Sequence, residues 1–252
     1  MLIKNKLYNG TVEIAFDSFK HKYTYNGEGV PTVTGILGII NKPALVNWAA
    51  GCAADSIAES LSPGVSYDEL QLQAIIEAGR KAHWQKKIDA GNIGTFLHQW
   101  IEHYIKGESP GMPVNENLKE SVNKFLGWTE KHKVKFILSE QMVYSVKYKY
   151  AGTLDFVCTI DGKLYLGDTK TSSGIYPEML VQTSAYRFAR HEEFPDENYH
   201  GQLILRIGKD GEFEFAVMRD TAIYQDMFRA FLAAQKLSST MEMLKSFKTD
   251  KE

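Results

Sequence analysis

The chain has 252 residues, 44% of them hydrophobic and 24% charged, enough for a substantial buried core and ordinary for a globular protein. A formal net charge of -2 argues against broad, non-specific coating of duplex DNA, which needs a strongly basic face. No window approaches the roughly 18 uninterrupted apolar residues that span a bilayer, and the opening Met1-Leu-Ile-Lys-Asn-Lys6 has no apolar signal-peptide run. A cytoplasmic protein with no membrane partner is expected. Two cysteines, Cys52 and Cys158, are too few for a disulfide framework or a four-cysteine iron-sulfur cluster and read as core thiols.

In chain order, Leu7 to Tyr25 reads as short strands, with Val12, Ile14 and Phe16 alternating. Val30 opens a helical region with Thr32 or Thr34 as N-cap, and helical patterning continues from Pro43 to Leu61 and from Tyr67 to Ala90. Residues 1–92 are therefore expected to form a mainly helical subdomain. Arg80, Lys81, Lys86 and Lys87 cluster near its end, and seven lysines between Lys119 and Lys149 face Glu120, Glu130 and Glu140. Such runs are either solvated faces or the lining of a narrow groove that follows a phosphate backbone.

A capped helix is expected next, from Thr95 as N-cap to Gly107 as stop. Leu97, Ile101, Tyr104 and Ile105 form its buried stripe, widened by Phe96 and Trp100, while His98 lies on the polar side. A helix over Glu116 to His132 precedes three strands near 136–144, 150–160 and 163–169, the last two joined by an Asp161-Gly162 turn. Pro177 starts a helix that runs to about Arg190 and places Gln182 and Tyr186 on one face. A hairpin follows, 201–207 and 212–218 around Lys209-Asp-Gly211, and then an amphipathic helix from Thr221 to Lys245. The order helix, three-stranded meander, helix, strand gives an α/β core over residues 93–218, with 219–252 as a C-terminal helix, all in one domain.

The most informative stretch is the hairpin from Gly152 to Lys170. Asp155 interrupts an apolar strand where β-propensity offers no reason for an acid, and burying it is costly unless it is paired or metal-bound. Asp168 and Lys170 end the next strand on one face, because side chains repeat every second residue. Two carboxylates suit a hard cation such as Mg²⁺ or Mn²⁺, and the lysine suits orienting or deprotonating a water and offsetting negative charge. The competing reading is a salt-bridged surface hairpin. His98 is either a further ligand or a satisfied, partly buried residue. Gln182 and Tyr186 either meet phosphate and base or pack their helix.

Gly94-Thr95-x-x-His98, Gly152-Thr-x-Asp155, Asp168-x-Lys170 and Gln182-x-x-x-Tyr186, in that order and on those elements, resemble the RecB-type branch of the PD-(D/E)XK nuclease superfamily. The likeness is to its small phage and bacterial exonucleases and to the mitochondrial genome maintenance exonuclease. With Pro31-Thr-Val-Thr-Gly-Ile-Leu37 and Lys42 to Trp48 it extends over about two thirds of the chain. The resemblance implies a restriction-endonuclease-like core with an N-terminal helical subdomain. It also implies a metal held by His98, Asp155, Asp168 and the Thr169 backbone carbonyl, with Lys170 as the catalytic lysine beside Asp155 and Asp168. Gln182, Tyr186 and Thr95 are then expected to engage DNA. Glu140 is expected to support the site without ligating, and Glu102, one turn from His98, reads as a salt-bridge residue or an extra ligand.

The expected activity is a Mg²⁺/Mn²⁺-dependent DNA exonuclease acting on single-stranded or frayed ends, in DNA repair or recombination, without an iron-sulfur cluster. No Walker loop is present in the sequence, so any unwinding falls to a helicase or recombination partner. Two alternatives remain at this point: a flap-cutting endonuclease, and a catalytically silent DNA-binding or assembly protein on the same fold.

Overall fold

Alternating apolar residues and left-handed turns fold the N-terminus into an antiparallel meander of β1 (Leu2–Leu7), β2 (Val12–Asp17), β3 (Lys22–Tyr25) and β4 (Glu28–Val30). Asn26 and Gly27, with φ of 51° and 82°, form the tight turn between β3 and β4, the pairing that two-residue hairpins favour. These coordinates come from a computed structural model, which describes residues 1–247 as a mixed α/β chain with two sheets.

The chain divides into two compact units, one of residues 1–39 together with the chain from Leu97 onward, the other Ile40–Phe96. This division differs from the expected 1–92 subdomain, because the N-terminal meander belongs to the larger unit. Leu7, Val12, Ile14 and Tyr23 of the meander share one apolar cluster with Met142, Tyr144 and Ala151 of the second sheet. Tyr8 Oη donates to the Tyr144 carbonyl at 2.8 Å, and Ala151 N–H donates to the Pro31 carbonyl at 2.9 Å. Local periodicity reveals strands but not the long-range partner that covers them.

The second sheet has the order β5 (Lys135–Ser145), β6 (Tyr150–Ile160), β7 (Lys163–Lys170), β8 (Tyr199–Ile207), β9 (Phe213–Met218). All neighbours are antiparallel except β7 and β8, which run parallel and so need a crossover. That crossover includes the helix α5 (Pro177–Glu193). The element order helix, three strands, helix, strand follows the sequence expectation, and each strand boundary lies within two residues of it.

Short helix α1 (Val33–Leu37) starts at Thr32, whose Oγ1 accepts from Gly35 N–H at 2.8 Å. Against α5 and the sheet lies α6 (Thr221–Leu244), where Phe228 stacks on Phe188 at 4.2 Å and Phe231 meets Tyr150 edge-on at 4.8 Å. Residues 248–252 of the expected C-terminal segment lie outside the described residues. Helix α4 (Glu116–Lys131) carries Val122 and Phe125, both fully buried. Both cysteines are buried and unpaired; burial alone pushes the Cys158 thiol up to about 12.

The second unit comprises α2 (Pro43–Ser60) and the first part of α3 (Glu69–Ile105). A Cβ at Gly79 would sit 2.6 Å from Ile57 Cγ1, so the glycine sets how closely these helices meet. Helix α3 corrects one expectation: it is continuous, and Thr95 is an interior residue whose Oγ1 donates to the Gly91 carbonyl at 3.1 Å, not an N-cap. Glycines inside a helix cost only about 1 kcal/mol each, and propagation from both sides outweighs that. Its end is as expected. Gly107, at φ 76°, donates to Tyr104 O and Glu108 N–H reaches His103 O, a glycine-closed C-terminus that satisfies carbonyls left open by the last turn. Among the described residues no helix is long and apolar enough to cross a membrane.

Candidate metal and active site

The ladder between β6 and β7 ends at the pair Phe156 and Gly167. The next residue on each strand is an aspartate, Asp155 and Asp168, so both acids stand where the strands part. Asp155 closes the fork itself, because its Oδ2 accepts the Thr169 N–H at 2.7 Å in place of a ladder bond. Glycine makes the crowding tolerable. A Cβ on Gly167 would lie 2.1 Å from the Phe156 ring, and one on Gly152 would lie 2.6 Å from Tyr186 Cε1. Each glycine leaves room for a buried aromatic ring packed against the strand.

Asp168 is 1% exposed. Its Oδ2 forms an ion pair with Lys170 Nζ, and its Oδ1 accepts from Gln182 Nε2 at 3.2 Å. Gln182 in turn donates to Tyr186 Oη at 3.0 Å. Sequence periodicity placed Gln182 and Tyr186 on one face, and the structure joins them in a single chain of contacts ending on Asp168. Tyr186 is itself 3% exposed. It therefore fixes Gln182 rather than offering a free ring face for a base to stack on.

On the other side of the fork, His98 Nδ1 of α3 lies 3.4 Å from Asp155 Oδ2. Glu140 on β5 sits between Ser139, paired with Phe156, and Gln141, paired with Leu154, which places it across from Asp155. Its φ of 50° is unusual for a residue with a side chain. One ligand atom each from His98, Glu140 and Asp155 lie within 4.8 Å of one another. Glu140, read from sequence as a supporting acid, is thus in ligand position, while Asp168 is turned to Lys170 and Gln182. In the sequence its signal was the family resemblance, which placed an acid on the strand before Asp155. Glu102 pairs with Lys106 one turn on, the salt-bridge reading of that residue. Thr95 belongs to the Ile40–Phe96 unit, whereas the other site residues belong to the larger one.

Electrostatics follow from this crowding. Removal from water, then the like charges of Asp155, Glu102 and Asp168, push the Glu140 carboxyl up to about 8, with Lys106 opposing. Glu140 is nonetheless an exposed residue, so solvent screens this rise and a cation can reach the carboxyl. Burial raises the Asp168 carboxyl to about 6, partly offset by Lys170. Burial alone would lower Lys170, but the Asp168 and Asp155 carboxylates outweigh it and hold the ammonium charged. Burial, Asp168 and Asp155 keep the Tyr186 phenol protonated. Two carboxylates, Asp155 and Glu140, and the His98 imidazole thus converge on one place, with Asp168 beside them held by Lys170. Hard oxygen donors with one imidazole fit a small divalent cation.

Of the basic clusters noted in the sequence, only some members are engaged by neighbouring acids. Lys124 pairs with Glu120 and Glu212, Lys119 with Glu116, and both Arg80 and Lys81 with Glu77.

No family model matches the chain, and no curated protein matches it. Among solved structures it is similar to the crystal structure of SSO0001, at 13% identity over 76% of this chain and 87% of that one, with a TM-score of 0.31. A likeness that low carries no argument about fold or activity.

Proposed function

We propose that the fork between β6 and β7 is the centre of a Mg²⁺/Mn²⁺-dependent DNA exonuclease with a restriction-endonuclease-like core, acting on single-stranded or frayed ends. The observation that carries this reading is the meeting of Asp155 and Asp168 at the fork, with Lys170 on one side and His98 and Glu140 on the other. A surface hairpin has no need of a carboxylate that is 1% exposed and a lysine held against it.

Asp155, Glu140 and His98 would hold the cation, joined by Asp168 and by the Thr169 carbonyl. That carbonyl shares the edge of β7 on which the Thr169 N–H meets Asp155, since the N–H and C=O of one strand residue face the same way. The cation supplies polarisation of a phosphoryl oxygen. The protein's own groups do the rest. Lys170, kept protonated, orients water and offsets charge growing on the phosphate, and its charged state makes it a poor base. Gln182 steadies Asp168 and Tyr186 steadies Gln182, so the acid is held in one orientation. The Thr169 N–H does the same for Asp155.

The reading is tested by digestion of an end-labelled single strand with Mg²⁺, Mn²⁺ or chelator. Wild type is expected to release short products with either metal and none with chelator, and Asp168→Ala and Lys170→Ala to lose about a hundredfold or more. Absence of wild-type activity with both metals, or unchanged activity in both variants, would overturn it. Cutting of circular strands as fast as free ends would replace the exonuclease with an endonuclease.

A further inference from the structure

Beside the carboxylate fork lies a small cavity of about 200 Å³, lined by Phe16, His21 and Tyr23 of the N-terminal hairpin, Thr32 and Thr34 at the start of α1, and the edge of Tyr186. It adjoins the site through covalent and hydrogen-bonded steps. Thr153, also in its wall, is two residues from Asp155 on the same face of β6 and meets Tyr23 Oη at 2.6 Å. Tyr186 meets Gln182, which holds Asp168. Glu140 contributes to the rise of the Tyr23 phenol's pKa, placing that ring within electrostatic reach of the acids.

The cavity is below the few hundred to about 1,000 Å³ of a drug-sized ligand site, so it takes one small planar group. Its walls suit such a group. Phe16 leans on Tyr23 at 4.6 Å and meets the His21 ring edge-on at 6.2 Å. Thr34 adds a hydroxyl edge to the wall, while the Thr32 and Thr153 hydroxyls are engaged by Gly35 N–H and Tyr23 Oη. The turn above adds Lys20 and Lys22, both exposed, and Phe19, which is 86% exposed. Asp17 Oδ1 fixes that turn by accepting from the Phe19 and Lys20 N–H groups at 3.0 and 3.2 Å. Aromatic rings alternating with lysines next to a phosphate-directed site are the composition that stacks bases and tracks a backbone.

We propose that this cavity receives one base of a single-stranded DNA substrate, stacked against Phe16 and His21, while Lys20 and Lys22 meet flanking phosphates. The proposal deepens the nuclease reading and rests on it for the identity of the strand. It assigns the β2–β3 hairpin, otherwise only part of a structural sheet, to positioning the nucleotide next to the bond at Asp155 and Asp168.

The test is fluorescence anisotropy with a labelled oligodeoxythymidine in chelator, where nothing is cleaved, repeated with a single abasic residue moved along the strand. His21 is exposed, so His21→Asn, which also tolerates its φ of 48°, removes stacking surface without touching the core. Phe16→Leu is the second variant. Both are expected to bind at least about fivefold more weakly than wild type, and an abasic residue at one particular position is expected to abolish that difference. Lys20→Ser should weaken binding wherever the abasic residue sits. The proposal is overturned by absence of wild-type binding, by unchanged binding in both variants, or by a loss that no abasic position removes. Binding with this signature but no cleavage in Mg²⁺ or Mn²⁺ overturns the nuclease reading alone. Cleavage without the signature overturns the base site alone.

Discussion

Glu140 is the residue whose setting differs most from its reading in the sequence. The resemblance implied a supporting acid there, and its φ of 50° and its place across from Asp155 bring one carboxylate oxygen within 4.8 Å of ligand atoms of His98 and Asp155. Backbone conformation of that kind leaves no mark in residue periodicity. Asp155, Asp168 and Lys170 stood out because an acid inside an apolar strand is costly to bury unpaired, and the structure brings the three together at the fork. The same crowding makes a stability prediction. Folded-state pKa values raised to about 8 for Glu140 and about 6 for Asp168 mean that the folded protein binds protons that the unfolded chain releases. Their contribution is full below about pH 4, where both states are protonated, and is lost as pH rises through the folded values. Metal-free protein should therefore lose part of its Tm between about pH 5 and pH 8. Glu140→Gln should flatten the upper part of that fall, as read by thermal denaturation in chelator across the pH range. An unchanged slope in the variant would show that Glu140 does not sit among the carboxylates.

At the scale of elements, strands and helices were largely legible, with two instructive exceptions. The gap expected between Ala90 and Thr95 does not exist, because α3 runs through Gly91 and Gly94 and carries His98 on one continuous helix. The N-terminal strands were recognised, but their attachment to the second sheet was not, since Tyr23 to Thr153 and Tyr8 to Tyr144 are contacts across more than a hundred residues. Ile14 is fully buried in that junction. Its truncation to alanine should cost about 2–5 kcal/mol. Chemical denaturation should show a lower midpoint with the meander and the second sheet still unfolding in one transition, followed by near-ultraviolet dichroism of the tyrosines. A separate early transition confined to the first 30 residues would mean that the meander folds apart from the second sheet.

For the whole molecule, composition excluded a membrane-spanning chain and a strongly basic duplex coat but said little about where cationic charge acts. Of the lysines that looked like a possible groove, Lys81, Lys119 and Lys124 are held by neighbouring acids, and most of the rest have no ion pair among the described residues. The electrostatic focus of the larger unit is instead an excess of carboxylate at the strand fork, with Lys170 against it. The proposed function rests on that excess being offset by a divalent cation. Direct titration of Mn²⁺ into chelator-stripped protein, followed calorimetrically in two buffers of different ionisation enthalpy near pH 6.5, addresses it most directly. Saturable binding with proton release is expected, because Glu140 and Asp168 must ionise, together with at least tenfold weaker binding in Asp155→Ala. Absence of saturable binding, or equal affinity in Asp155→Ala, would contradict the account.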